Sequence, residues 1–229
     1  MNGTALVVSC EHASCAIPDC WKAQFPDLDT LASHKGWDAG AAAVARGLAS
    51  HLGAPCHLAR VSRLLVDCNR SAHHPQVFGA QLRTLPPEQR RALLARWHTP
   101  YREAVATSVE RVLADHDHCL HLSCHSFTPV LAGRERNADI GLLYDPGHGD
   151  ESRLAAAWQK ALQISGMRVR RNYPYRGTSD GLTRTLRQRF GPAYAGIELE
   201  LNQSLLRHDR FPPDLCKLLQ HTLAILLAD

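Results

Sequence analysis

Two apolar runs in this chain end in Ser-Cys and then deliver a histidine. They are Ala5-Leu-Val-Val-Ser-Cys-Glu-His12 and Cys119-Leu-His-Leu-Ser-Cys-His125-Ser126. Each reads as a buried strand with a metal-capable imidazole at its C-terminal end. In open α/β sheets, ligands bind just outside the carboxyl ends of the strands. Two histidines far apart in sequence are therefore expected to meet at one site.

The rest of the chain supplies the helices such a sheet requires. A helix is expected from Asp38 to His51, with Asp38 at or near its N-cap. Strand pieces follow at Cys56–Val61 and Leu64–Val66. A long helix runs from about Pro87 to Asp115, with Leu93, Leu94, Trp97, Tyr101, Val105 and Val109 at helical spacing. Further strands are expected at Leu120–Cys124, Ile140–Tyr144, Met167–Arg171 and Ala195–Leu201. Helices are expected near 151–165, 182–190 and 213–227. This alternation predicts a mainly parallel central sheet with helices on both faces. No composition break marks a linker, so residues 1–229 read as one domain.

The 229 residues are 45% hydrophobic and 21% charged, with a formal net charge of +4. The arginines are scattered, which argues against a nucleic-acid partner. No run approaches the ~18 apolar residues of a membrane span. The N-terminus lacks the basic region of a signal peptide, which leads us to expect a cytoplasmic protein. The eight cysteines form no Cys-x-x-Cys pair and are expected to be reduced, mostly buried thiols. The oligomeric state, monomer or dimer, is left open.

Several polar residues stand out against this background. A strand-end His12 is either a core histidine or a zinc ligand. Its neighbour Glu11 offers either a second ligand or an acceptor that fixes the tautomer. His121, Ser123 and His125 share one strand face. Asp38 is a helix cap or a metal ligand. With His12 and His125 it would complete a three-ligand site with one position left for water. Arg63 and Arg70 can grip carboxylates in a bidentate fashion, with Asp67 orienting one of them. Glu198 and Glu200 share a strand face, and a glutamate there suits a general base. Asn172-Tyr-Pro-Tyr175 opens a turn-rich loop fit for a substrate wall.

Taken in order, these segments resemble the N-formylglutamate amidohydrolase family. The resemblance rests on Glu11-His12 with Ile17-Pro18, Trp37-Asp38-Ala-Gly40, Ser62-Arg63, and Asp67-x-Asn69-Arg70. It continues through His125-Ser-Phe-Thr-Pro129, Arg136 to Ile140-Gly-Leu-Leu-Tyr144, Asn172-Tyr-Pro-Tyr175 and Glu198-Leu-Glu200. It implies a zinc-carboxypeptidase-like α/β/α fold with a mixed, mostly parallel sheet and one catalytic Zn²⁺. It also implies hydrolysis of N-formyl-L-glutamate to glutamate and formate, a step of bacterial histidine breakdown.

On this resemblance His12 and His125 are imidazole ligands, and Asp38 is the carboxylate ligand. Glu11 competes for that role, because carboxypeptidases space the pair as His-x-x-Glu and position 15 here is cysteine. Glu200 resembles the general base and Arg63 the oxyanion donor. Asn69 and Arg70 resemble the pair that holds the substrate carboxylate. Arg136, with Arg134 and Arg176, is a candidate for a second carboxylate, and Asn172 and Tyr175 line the substrate. The alternatives are the same chemistry on another N-acyl amino acid or a peptide C-terminus, and a non-catalytic protein that binds metal or carboxylate.

Overall fold

Alternation along three strands decides which face of the sheet is greasy and which is chemical. The computed structural model describes residues 4–228. Strands β1 (Thr4–Cys10), β2 (Cys56–Leu58) and β3 (His118–Phe127) lie in one sheet. It is completed by β6 (Ile140–Leu143), β7 (Val169–Arg171) and β8 (Tyr194–Asn202). Strands β4 (Val130–Leu131) and β5 (Arg134–Glu135) form a separate hairpin.

The six-stranded order is β2-β1-β3-β8-β6-β7. All neighbours are parallel except β6 and β8, which run antiparallel. The sheet is thus mixed and mostly parallel. Strands β3 and β8 are central and buried along nearly their whole length, as expected for a sheet covered on both faces.

One face is purely apolar. Leu6, Val8 and Cys10 of β1, Leu120, Leu122 and Cys124 of β3, and Ile197, Leu199 and Leu201 of β8 share it. Against them pack α2 (Ala41–Leu52), α5 (Gly149–Gln163) and α7 (Pro213–Ala228) through Leu48, Trp158, Leu219 and Leu223. The opposite face carries Val7, Cys119 and Tyr194 under α4 (Thr99–Asp115) and α6 (Leu182–Phe190). By period-two alternation it also carries Ser9, His121, Ser123, His125, Glu198 and Glu200.

Buried polar groups on that face need partners. His121 finds two, with Ser9 Oγ 2.7 Å from its Nε2 and Tyr194 Oη 2.7 Å from its Nδ1. It is a core histidine, whereas His125 lies at the strand's C-terminal end.

The elements depart from expectation at several points. Leu64–Val66 is a turn, closed by Leu65 N–H donating to Ser62 O at 2.9 Å. Its apolar side chains fill a second core with Ile17, Phe25, Leu31, Phe78 and Leu82, not the sheet. The neighbouring strand stops at Leu58, before Val61.

The long helix is present but irregular. It comprises α3 (Pro87–Leu93), a π-turn at Leu94–His98, and α4. Pro100 cannot donate to the helical ladder, and one wide turn ahead of it absorbs the mismatch. There Thr99 N–H reaches back to Leu94 O.

Lastly, α2 starts after Gly40, whose φ of +78° supplies its N-cap. Asp38 therefore does not cap with its side chain, and its carboxylate turns into the site instead. The short helix α1 (Leu28–Ala32) and the β4–β5 hairpin were not expected. All eight cysteines are free, and no described helix is long and apolar enough to cross a membrane.

Candidate active site

The carboxyl ends of β1, β3 and β8 bring the site together. His12 follows β1, His125 ends the polar face of β3, and Glu200 is its register partner on β8. Asp38 arrives from the turn before α2, where its backbone N–H donates to His12 O at 2.9 Å. All four side chains are buried.

His12 Nδ1, His125 Nδ1 and one Asp38 carboxylate oxygen converge. Asp38 Oδ2 lies 3.3 Å from His12 Nδ1 and 2.9 Å from His125 Nδ1, and the two nitrogens are 3.2 Å apart. The far side of each ring is committed to a carboxylate. His12 Nε2–H donates to Asp67 Oδ1 at 2.8 Å, and His125 Nε2–H faces Glu11 Oε2 at 3.1 Å. Those contacts put an Nε2 proton on the far side of each ring and turn both Nδ1 atoms inward. Glu11 is further held by Tyr101 Oη–H at 2.9 Å and by a short bond from Ser123 Oγ–H. It stands behind His125, in the position of an orienting acceptor, while Asp38 sits with the imidazoles.

Charge is concentrated here. Burial alone would raise the Asp38 carboxyl, but the Arg63 guanidinium and His12 outweigh it and hold it well below the usual range. Burial opposes ionisation of Asp67 and Glu11 too. The imidazole of His12 overrides it at Asp67, and hydrogen bonding to His125 overrides it at Glu11. Burial disfavours a charged His125, yet Asp38 and Glu11 together raise its pKa well above the ordinary value.

Three ionised carboxylates beside one guanidinium leave two negative charges around the imidazoles. One divalent cation would balance them in place of ring protons. Inward Nδ1 atoms, a surplus of negative charge and ligand atoms within 4.8 Å of one another fit a divalent metal.

The remaining candidates surround a cavity of about 230 Å³. Arg63 Nη2 contacts Asp38 Oδ1 at 2.6 Å and His12 Nδ1, while its Nε–H has no partner among the described residues. Glu200 Oε2 is likewise unpartnered, and burial pushes the Glu200 carboxyl up to about 8. Glu198 is already engaged, accepting from Thr183 Oγ–H at 2.6 Å. Its strand lies in the interior of the sheet, between β3 and β6.

Asn69 and Arg70 line the cavity, as do Tyr175 and Arg176. Arg136 stacks on Tyr175 and Phe127 and donates to Tyr175 Oη at 3.1 Å, so it supports the wall from behind. Asn172 is not on the wall. Its Oδ1 accepts from Tyr144 N–H (3.1 Å) and Gly177 N–H (3.0 Å), which shapes the loop. Asp67, expected to orient an arginine, orients His12.

Sequence reasoning missed Tyr101 as the support of Glu11. Its helical spacing marked it only as a core residue. It also passed over Ser123 as a partner of Glu11, although Ser123 stands two residues before His125.

Fold and site define an α/β protein with a buried imidazole–carboxylate group of metal-ligand type at the carboxyl edge of its sheet. The sequence profile of the N-formylglutamate amidohydrolase family matches residues 4–207, and the chain belongs to that family. A crystal structure of a gene product of Agrobacterium tumefaciens is similar with a TM-score of 0.85 at 31% identity. That match covers 99% of this chain and 91% of the other. The N-formylglutamate amidohydrolase of Ralstonia eutropha JMP134 shares the fold, with a TM-score of 0.72 at 19% identity over 99% of this chain and 93% of its own. No curated protein matches the sequence.

Proposed function

We propose that this chain is a zinc-dependent hydrolase that removes the N-formyl group of an acidic amino acid, with N-formyl-L-glutamate as substrate. His12, His125 and Asp38 would hold the ion. The convergence of two Nδ1 atoms and Asp38 Oδ2, each ring backed by a carboxylate, carries this reading. When bound, such an ion polarises a carbonyl and acidifies water.

The chain's own groups do the rest. Glu200, buried with a free oxygen, in its ionised form takes a proton from the attacking water and gives it to the leaving nitrogen. The carbonyl C–O bond forms, the amide C–N bond breaks, and formate and the free amine result. Arg63 offers its unpaired Nε–H to the developing oxyanion. Asn69 and Arg70 take the α-carboxylate and place the formyl carbon before Glu200. Arg176 is the cation on the wall for a second carboxylate, and Arg136 braces Tyr175 beside it.

A second reading is the same chemistry on an N-acyl amino acid with a larger acyl group. Leu131 and Tyr175, half exposed at the cavity mouth, favour it. Formate or acid release from formyl, acetyl and succinyl derivatives of glutamate and aspartate, measured on zinc-loaded protein, tests the proposal. Formyl-glutamate should be turned over fastest. Preference for a longer acyl group would transfer the assignment to the second reading, and no turnover of any would overturn both.

A further inference from the structure

A single guanidinium on α4 gathers the backbone that carries Asn69 and Arg70. Arg102 Nη1 donates to the carbonyls of three successive residues, Cys68 at 3.0 Å, Asn69 at 2.9 Å and Arg70 at 3.2 Å. Its Nη2 donates to Thr185 Oγ1 on α6 at 2.6 Å. His98 adds a second donor to Arg70 O, at 2.9 Å from Nε2. Its Nδ1 has no partner among the described residues, consistent with the proton on Nε2.

The loop is fixed on its other side as well. Asn69 Oδ1 accepts from Leu182 N–H at the start of α6 (2.8 Å), and Asn69 N–H donates to Asp67 Oδ1 (2.9 Å). Arg70 Nη1 donates to Asp180 O (3.2 Å), and Ser71 N–H donates to Asp180 Oδ2 (2.9 Å).

Three carbonyl dipoles aimed at one point repel one another unless a cation sits there. Without it, those groups would turn towards water, because a buried unpaired carbonyl is costly. The peptide planes of residues 68–70 would then rotate, and the side chains of Asn69 and Arg70 would leave the cavity wall. A lysine supplies a point charge but not the planar fork that bridges the loop to Thr185.

We infer that Arg102 is a positioning residue for substrate binding. It does not line the cavity, but it sets the backbone from which Asn69 and Arg70 reach the substrate's α-carboxylate. The inference rests on the acidic N-acyl amino acid proposed above.

The test uses zinc-loaded wild type, Arg102→Met and Arg102→Lys. Two substrates are compared: N-formyl-L-glutamate and 4-formamidobutanoate, which lacks the α-carboxylate. Arg102→Met should raise KM for the first by roughly tenfold or more with little change in kcat. KM for the second should stay within about twofold. Arg102→Lys should fall between, and it decides the matter if the methionine variant does not fold.

Amide hydrogen exchange of the substrate-free protein is the independent readout. It should quicken at 68–71 and 181–183 and stay unchanged elsewhere. Equal losses on both substrates, unchanged exchange at these segments, or faster exchange along the whole chain would each overturn the inference. If the wild type hydrolyses neither substrate, the proposed activity fails, and the exchange pattern alone then decides the role of Arg102.

Discussion

Replacing Asp67 with asparagine removes one charge and leaves a hydrogen-bond acceptor in place. Asp67 Oδ1 accepts the His12 Nε2 proton at 2.8 Å and also the Asn69 N–H at 2.9 Å. Its carboxyl is buried, yet His12 and Arg63 hold it ionised well below its ordinary range. The amide keeps the ring in place but no longer makes the imidazole a stronger donor to a metal. Loss of such a partner costs about 10- to 100-fold in metal affinity, or ~1.4–2.7 kcal/mol. Competitive titration of zinc against a chromophoric chelator measures this directly. Asp67→Ala should lose more, because the His12 ring and the Asn69 amide both lose their acceptor. Zinc affinity in Asp67→Asn equal to that of the wild type would refute the orienting role, and with it the inward-facing Nδ1 of His12.

Three further outcomes follow from the same geometry. Glu200→Gln should retain zinc and lose turnover by about 10²- to 10⁴-fold, since the amide cannot shuttle a proton. Formate release and metal content, measured on one sample, check it. Gly141→Ala would place a methyl group against Tyr173 O and close to Glu200 Cβ. The loop over β6 must shift, with a stability loss of ~1–3 kcal/mol by denaturant titration, whereas a neutral effect would show that the loop is not clamped there.

The third concerns acid. Burial lowers His121 to about 4, well below its value in the unfolded chain. The unfolded chain therefore takes up a proton first as pH falls. Stability present above ~6.5 drains away down to about 4, by ~1.4 kcal/mol per unit. Denaturation midpoints of wild type and His121→Asn at pH 7 and 4.5 should show a steeper fall in the wild type, and parallel falls would remove His121 as the cause.

Much of this is legible in the sequence. Period-two alternation in Cys119–His125 puts Leu120 and Leu122 on one face and His121 and His125 on the other, and the sheet keeps that division. The parallel order was readable because helices separate most of the strands. Alternation could not separate His121 from His125. Their difference is depth along the strand: one meets Ser9 and Tyr194, the other Asp38. Leu64–Val66 misled because an apolar triplet fits a strand or a packed turn equally well, and only the second core around Phe25 and Leu82 decides. Asp38 fits the cap pattern in one dimension, yet Gly40 with its positive φ starts the helix. Arg102 had no sequence signal at all. It sits in an ordinary helix, and its carbonyl partners lie some thirty residues back in the chain.

A metal held at His12, Asp38 and His125 is proposed to be needed to release formate from N-formyl-L-glutamate. The most direct test is the rate of formate release after exhaustive chelation, followed by titration with zinc. Almost no release is expected from the metal-free protein, with activity rising in proportion to zinc until one ion is bound per chain. Full activity in the chelated protein, or none once one zinc per chain is bound, would contradict it.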